Sequence, residues 1–135
     1  MKVVVTGGAG FVGGNLARRL VDEPEVGEVV VLDDLSFGFT ANVEGLDLTF
    51  VEGSILDPDL LASTVDGAGA IIHLAARSSV PRSIAHPLAA HEANATGTVR
   101  VLEADRNAGD VQVVVASSSS VYGANEILPK HESLA

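Results

Sequence analysis

Three glycines near the amino terminus have a spacing that could hold a phosphate group. Gly7, Gly10 and Gly13 lie in the segment TGGAGFVG, between a run of valines and a stretch with helical periodicity. The first glycine would permit a tight turn, the second a close backbone approach to a pyrophosphate, and the third close helix-to-strand packing. The N–H groups of Phe11 and Val12 would face the anion at the start of the helix. The pattern predicts a dinucleotide-binding turn.

Two acidic residues, Asp33 and Asp34, follow the second apolar run, EVVVL. A carboxylate at the end of the second strand can accept hydrogen bonds from an adenosine ribose. It would also repel a 2′-phosphate, and no arginine or lysine lies between Asp34 and Leu61 to bind one. The sequence therefore favours NAD over NADP. A solvated strand end is the alternative interpretation of both aspartates.

The elements that must position these residues alternate between strands and helices. Short apolar runs predict strands at 3–5, 28–32, 48–51, 70–74 and 111–115. Apolar residues at helical spacing predict helices at 11–21, 57–65 and 87–108. Because parallel neighbours need crossover connections, the alternation predicts an α/β fold, a Rossmann-type doubly wound parallel sheet with helices on both faces. The length of 135 residues favours one domain.

Composition excludes several classes of function. The chain has 8 basic and 18 acidic residues, a net charge of −10, which argues against nucleic-acid binding. It has no cysteine, and therefore no disulfide, thiolate metal site or cysteine nucleophile. His73 has no partner at ligand spacing, so no metal site is expected. No segment has the apolar length of a membrane span or a signal peptide, so we expect a cytoplasmic protein and no membrane partner.

Five motifs occur in a fixed order along the chain. They are TGGAGFVG, VLDDLSFG, HLAA (73–76), NATGT (94–98) and SSSSVYG (117–123). In this order and spacing the sequence resembles the extended short-chain dehydrogenase/reductase family, in its nucleotide-sugar epimerase and dehydratase branch, from Met1 to about Lys130. The resemblance implies NAD as cofactor and a nucleotide-sugar substrate. The implied reaction takes hydride from sugar C4, forms a 4-keto intermediate and returns hydride to the other face.

The resemblance also implies roles for individual residues. Ser118, four residues before the tyrosine of VYG, matches the family's catalytic serine or threonine, which would hold the sugar hydroxyl or ketone oxygen. Thr96 matches a position on the nicotinamide side, with helix packing as its alternative role. Ser54 stands where members usually have aspartate. With the glycine turn and strand end, the implied cofactor-binding residues are Gly7, Gly10, Phe11, Val12, Gly13, Asp33, Asp34, Leu35, Ser36, Phe37, Gly38, Ser54, Ile55, Leu74, Ala75, Ala76, Arg77, Ser78 and Thr96.

The family's catalytic Tyr-x-x-x-Lys pair has no counterpart in these 135 residues. The only tyrosine, Tyr122, is followed four residues later by Glu126, and Lys130 is eight residues away. The fifth strand would be left as an apolar edge without its covering helix. We therefore expect residues 1–135 to be an incomplete NAD-binding domain, truncated after the fifth strand, without the C-terminal substrate domain and inactive alone. The resemblance implies that the full-length enzyme forms a homodimer through the 87–108 helix and through the helix expected after the fifth strand, which is missing here.

Two other functions stay open at this point. The residues could form a complete, non-catalytic dinucleotide-binding module that senses NAD or serves a partner. They could also belong to an NADP-linked reductase of the same superfamily. The nucleotide sugar and the product cannot be deduced from these residues.

Overall fold

The structure, a computed structural model, describes residues 1–134. Within them five strands form one sheet, each at a predicted apolar run: β1 (Lys2–Thr6), β2 (Glu28–Asp33), β3 (Thr49–Glu52), β4 (Ala70–His73) and β5 (Gln112–Val115). The helices are α1 (Phe11–Leu20), α2 (Pro58–Val65), α3 (Val80–Ala85), α4 (Pro87–His91) and α5 (Gly97–Ala108). No helix among residues 1–134 combines the length and apolar character needed to cross a membrane.

The sheet has the order β3-β2-β1-β4-β5, and every neighbouring pair is parallel. The chain adds strands to one side of β1 and then to the other, so the order reverses there. Thr6, the last residue of β1, lies opposite Leu32 on one side and His73 on the other. This is the predicted Rossmann-type doubly wound sheet. In such sheets ligands bind beyond the carboxyl ends of the strands at the reversal point.

The valine runs are buried because helices cover both faces of the central strands. Val4, Val30 and Ile71 pack on one face with side chains from α2 and α5. Val3 and Val5 alternate with Val4 and pack on the other face with residues of α1. Because both faces of these strands are buried, their sequences are continuous apolar runs and do not alternate between apolar and polar residues. In the described part of the chain β5 pairs only with β4, and Val114 and Val115 near its end are exposed.

The region predicted as one helix at 87–108 has three parts. α4 leads into a π-helical turn, Glu92–Thr96, and then into α5. Val101 is buried against the sheet, whereas the apolar residues Leu88 and Leu102 face solvent, 79% and 44% exposed. Gly97 packs closely on Ile55: a Cβ at this position would lie 2.4 Å from Ile55 Cδ1, so the end of that side chain would have to move. The preceding helix α3 was not predicted.

Candidate functional site

A cavity of about 370 Å³ opens beyond the carboxyl ends of β1 to β4. Segments that follow four different strands line it, as expected for an open parallel sheet. Most of the implied cofactor-binding residues lie on its wall: Gly7, Gly10, Phe11, Val12, Gly13, Asp33, Asp34, Ser36, Phe37, Gly38, Ser54, Ile55, Leu74, Ala75, Ala76, Arg77 and Ser78. The fold therefore brings together residues that are far apart in the sequence.

The glycine turn places backbone N–H groups at one side of this cavity. Gly7 has a φ of +71°, and a Cβ there would lie 2.6 Å from the nitrogen of Ala75. A Cβ on Gly13 would lie 2.3 Å from the carbonyl oxygen of Gly7, so α1 can approach the turn this closely only with glycine. α1 starts after Gly10 with no capping side chain and no acidic residue in its first turn. Its first N–H groups, including those of Phe11, lack intrahelical acceptors and can bind an anion.

Asp33 connects the glycine turn to the end of β2. It is 8% exposed. Its Oδ2 accepts a hydrogen bond from the N–H of Ala9 at 2.9 Å, and its Oδ1 accepts one from the N–H of Leu35 at 2.8 Å. A carboxylate has about four lone-pair positions, so each oxygen can accept one further bond from a ribose hydroxyl. Asp34 is exposed and instead accepts bonds from the backbone N–H and the hydroxyl of Ser36.

His73 is the centre of a hydrogen-bond chain beneath the cavity. The Thr98 hydroxyl donates to the carbonyl of Asn94 at 2.7 Å, so at 3.0 Å it can only accept from His73 Nε2–H. Nδ1 of His73 is then the acceptor for the Thr6 hydroxyl at 2.6 Å, and Thr6 Oγ1 in turn accepts from the N–H of Ala75 at 3.4 Å. Burial lowers the pKa of His73. The ring is therefore neutral and carries its proton on Nε2.

Asn94 fixes the loop that follows β4. Its Oδ1 accepts from the N–H of Arg77 at 2.7 Å, and its Nδ2 donates to the carbonyl of Arg77 at 3.1 Å. Asn94 lies in the π-helical turn, whose residues Glu92 and Ala93 line the cavity. Single π-helical turns inside helices are frequent at functional sites. The turn and the β4 loop are thus held together as two walls of one cavity.

Three of the implied site residues do not line this cavity within residues 1–134. Leu35 lies in the turn after β2 with a φ of 57°, and its N–H is bonded to Asp33. Thr96 is the last residue of the π-helical turn. Ser118 follows β5 and is exposed, and its Oγ accepts from the N–H of Ser120 at 3.2 Å. Their proposed contacts with ligands therefore remain predictions.

Other cavity residues were missed by the sequence analysis. Gly53 could have been predicted from its position just after the third apolar run, because the carboxyl ends of parallel strands meet at one edge of the sheet. Nothing in the pattern of the 87–108 region indicated that it turns toward the cavity. The additional lining residues are Leu32, Gly53, Leu56, Ala89, Glu92 and Ala93.

Comparison with known proteins finds similarity to nucleotide-sugar epimerases and dehydratases. A UDP-glucose 4-epimerase of Streptomyces lividans is 39% identical over 135 residues, which cover 98% of this chain and 40% of that protein. A UDP-N-acetylglucosamine 4-epimerase from Methanobrevibacter ruminantium, solved with UDP-N-acetylmuramic acid, superposes with a TM-score of 0.89 at 35% identity, covering 98% of this chain and 42% of that one. A dTDP-glucose 4,6-dehydratase from Streptomyces venezuelae, solved with NAD and TYD bound, has a TM-score of 0.86 at 42% identity, covering 94% and 42%.

The likeness extends along this chain but over only part of each of these relatives. The chain spans about 40% of the length of the curated relatives it matches first. The model of the NAD dependent epimerase/dehydratase family matches residues 3–135. Together with the parallel sheet and the glycine turn at its reversal point, this match shows that the chain belongs to the NAD dependent epimerase/dehydratase family.

Proposed function

We propose that the chain binds NAD and forms the cofactor-binding part of a nucleotide-sugar epimerase or dehydratase. The single observation that carries the proposal is that the glycine turn, the free N–H groups of α1 and the Asp33 carboxylate meet in one cavity. The backbone at Gly10 is open, since a Cβ there would meet only the carbonyl of Gly7, at 3.2 Å. A diphosphate can approach this point closely. The residues present therefore fit a dinucleotide.

Each part of the dinucleotide would lie against a different part of the cavity wall. Phe11 and Val12 would donate their N–H groups to the diphosphate, and Asp33 would accept from the adenosine ribose. The segment 34–38, which includes Leu35, would surround the adenosine, with Ser54 and Ile55 beside the adenine. The loop 74–78 would pass along the phosphates and the second ribose, and Thr96 would be near the nicotinamide.

A UDP-glucose 4-epimerase-like reaction is the activity that the relatives favour for the whole enzyme. When bound, NAD would supply a reversible hydride acceptor for sugar C4. Ser118 follows β5, next to β4, whose loop lines the cavity. From there its hydroxyl would hydrogen-bond the C4 oxygen and orient it for proton transfer. Because the chain contains no Tyr-x-x-x-Lys pair, we expect these 135 residues alone to show no turnover.

Calorimetric titration of the 135-residue chain with NAD and NADP tests the cofactor assignment. We expect saturable NAD binding and NADP affinity weaker by about tenfold or more, because the buried Asp33 carboxylate repels a 2′-phosphate. The proposal fails if NAD does not bind at millimolar concentration. The likeness to epimerases and dehydratases does not favour a stand-alone binding module or an NADP-linked reductase.

We also propose that the enzyme is a homodimer and acts in the cytoplasm, where its phosphorylated ligands would occur. Leu88, Val99 and Leu102 project from α4 and α5 into solvent and can form an apolar contact surface. Replacing both Val99 and Leu102 by aspartate should shift the sedimentation of the enzyme toward monomer. Replacement of the exposed Leu128, which lies outside this helix, is the matched control. Unchanged association in the double variant would contradict this interface.

A further inference from the structure

A second cavity, of about 260 Å³, lies beside the first and has a cationic lining. It shares Phe37, Arg77 and Ser78 with the larger cavity and adds Arg82 and His86 together with further serines. Among residues 1–134 no aspartate or glutamate lines it, although acidic residues outnumber basic ones 18 to 8 in the whole chain. A lining of this kind favours an anionic ligand over a neutral or cationic one.

Two arginines converge on one aromatic ring at this cavity. The guanidinium carbon of Arg82 lies 4.8 Å from the centroid of the Phe37 ring, and that of Arg77 lies 5.7 Å from it. Stacking on a ring orients a guanidinium while leaving its N–H edge available as a planar hydrogen-bonding fork. Within residues 1–134 neither arginine forms an ion pair with a carboxylate. Their charges are therefore available to a bound anion.

Hydroxyl and imidazole groups add donors around the same space. Ser79 Oγ accepts from the N–H of Arg82 at 3.4 Å, so its own O–H can donate to a ligand. His86, just after α3, also lines the cavity, and an imidazole ring can donate an N–H to a ligand. Donors from several directions suit a tetrahedral phosphate, whereas a planar carboxylate accepts its bonds in one plane. We propose that the second cavity is a binding subsite for a phosphoryl group, adjoining the dinucleotide site but with Arg82 outside it.

The phosphoryl group can come from two sources, a free phosphate or sugar phosphate and the diphosphate of a nucleotide. The proposal does not require NAD in the larger cavity. In the first measurement, inorganic phosphate is titrated into the parent chain at low ionic strength. The same titration is then carried out on the variants Arg82→Gln, Arg82→Lys and Arg18→Gln. Arg18 is an exposed arginine of α1, outside both cavities, and serves as the matched control.

We expect saturable phosphate binding that Arg82→Gln weakens about tenfold, because one charge-assisted fork is lost. Arg82→Lys keeps the charge but not the planar fork, so its phosphate affinity should lie between those of the parent and of Arg82→Gln. The phosphate affinity of Arg18→Gln should stay within about twofold of the parent. Absence of saturation in the parent, or equal affinity in Arg82→Gln, would overturn the proposal. Thermal melts establish that each variant is folded before its affinity is compared.

Titrations with NAD and with UDP complete the test. NAD affinity in Arg82→Gln should stay within about twofold of the parent; a loss as large as that for phosphate would make the two sites one and overturn the proposal. A weaker affinity for UDP in Arg82→Gln assigns the phosphoryl group to a nucleotide, and an effect on phosphate alone assigns it to a free phosphate or sugar phosphate. Phosphate binding without NAD binding would refute the proposed function but not this subsite.

Discussion

Replacing Asp33 by asparagine should affect both stability and ligand affinity, because its carboxylate has two structural partners and spare acceptor capacity. Both oxygens accept a backbone N–H, from Ala9 at 2.9 Å and from Leu35 at 2.8 Å. The side-chain amide of asparagine has one oxygen and one NH₂ group. One of the two backbone N–H groups would therefore face the NH₂ group, which is also a donor, and would lose its acceptor. A buried unsatisfied donor costs about 1–3 kcal/mol. For a chain of this length, about 2 kcal/mol corresponds to a melting temperature lower by roughly 6–10 °C.

The adjacent Asp34→Asn is a matched control, since the same charge is removed one residue away. Asp34 is exposed, and its Oδ1 alone accepts both bonds from Ser36. Asparagine keeps that oxygen, so we expect a stability change below about 0.5 kcal/mol. NAD affinity, measured by calorimetry, should fall about tenfold or more in Asp33→Asn and by less than about threefold in Asp34→Asn. Equal melting temperatures and equal NAD affinities for the two variants would refute the role given to Asp33.

Three further substitutions test other parts of the site. Gly13→Ala should cost about 3 kcal/mol or more in urea unfolding, because its Cβ would lie 2.3 Å from the Gly7 carbonyl; a cost below about 1 kcal/mol would contradict this packing. Gly10→Ala, with its one contact at 3.2 Å, should change stability far less but weaken NAD binding, and unchanged NAD affinity would count against a diphosphate at this turn. Burial lowers the pKa of His73 below its ordinary value of 6.5. The contribution of His73 to the free energy of unfolding is therefore complete above pH 6.5. It declines as the pH falls, by up to about 1.4 kcal/mol per pH unit, until the ring in the native state becomes protonated. In urea unfolding between about pH 5 and 7, His73→Gln should remove this dependence of the unfolding free energy on pH. Replacement of the exposed His131, His131→Gln, should retain it. The same pH dependence in both variants would argue against a neutral buried ring.

The sequence predicts the sheet well because the strands that build it are buried on both faces. β1 and β2 are runs of valine that neither a surface strand nor a helix of that length would show. The same topology explains why most of the predicted cofactor-binding residues line one cavity, since the carboxyl ends of parallel strands meet at one edge. Gly7 and Asp33 belong to different segments, yet both line the same cavity.

Periodicity is less informative about what a helix faces. The apolar positions of the 87–108 region indicate a helix, and helical structure is present, but Leu88 and Leu102 point to solvent. An apolar stripe has the same pattern whether it packs on the sheet or on another subunit. The apolar periodicity of this region also gave no indication of the π-helical turn, in which Asn94 bonds to the backbone of Arg77 in a different segment. Stacking of Arg82 on Phe37 likewise depends on tertiary structure alone.

The site contains two kinds of residue, and they should respond differently to substitution. Asn94 and Asp33 already have structural partners in the described chain, so changing either of them should loosen the cavity, and changing Asp33 should also remove the proposed ribose contact. Gly10 and the N–H groups at the start of α1 have little structural role beyond the turn, so their effects should be confined to binding. Arg82 is similar, since its charge has no carboxylate partner within residues 1–134. Because chemistry is best measured where structure is undisturbed, this second group gives the clearest tests of what the chain binds.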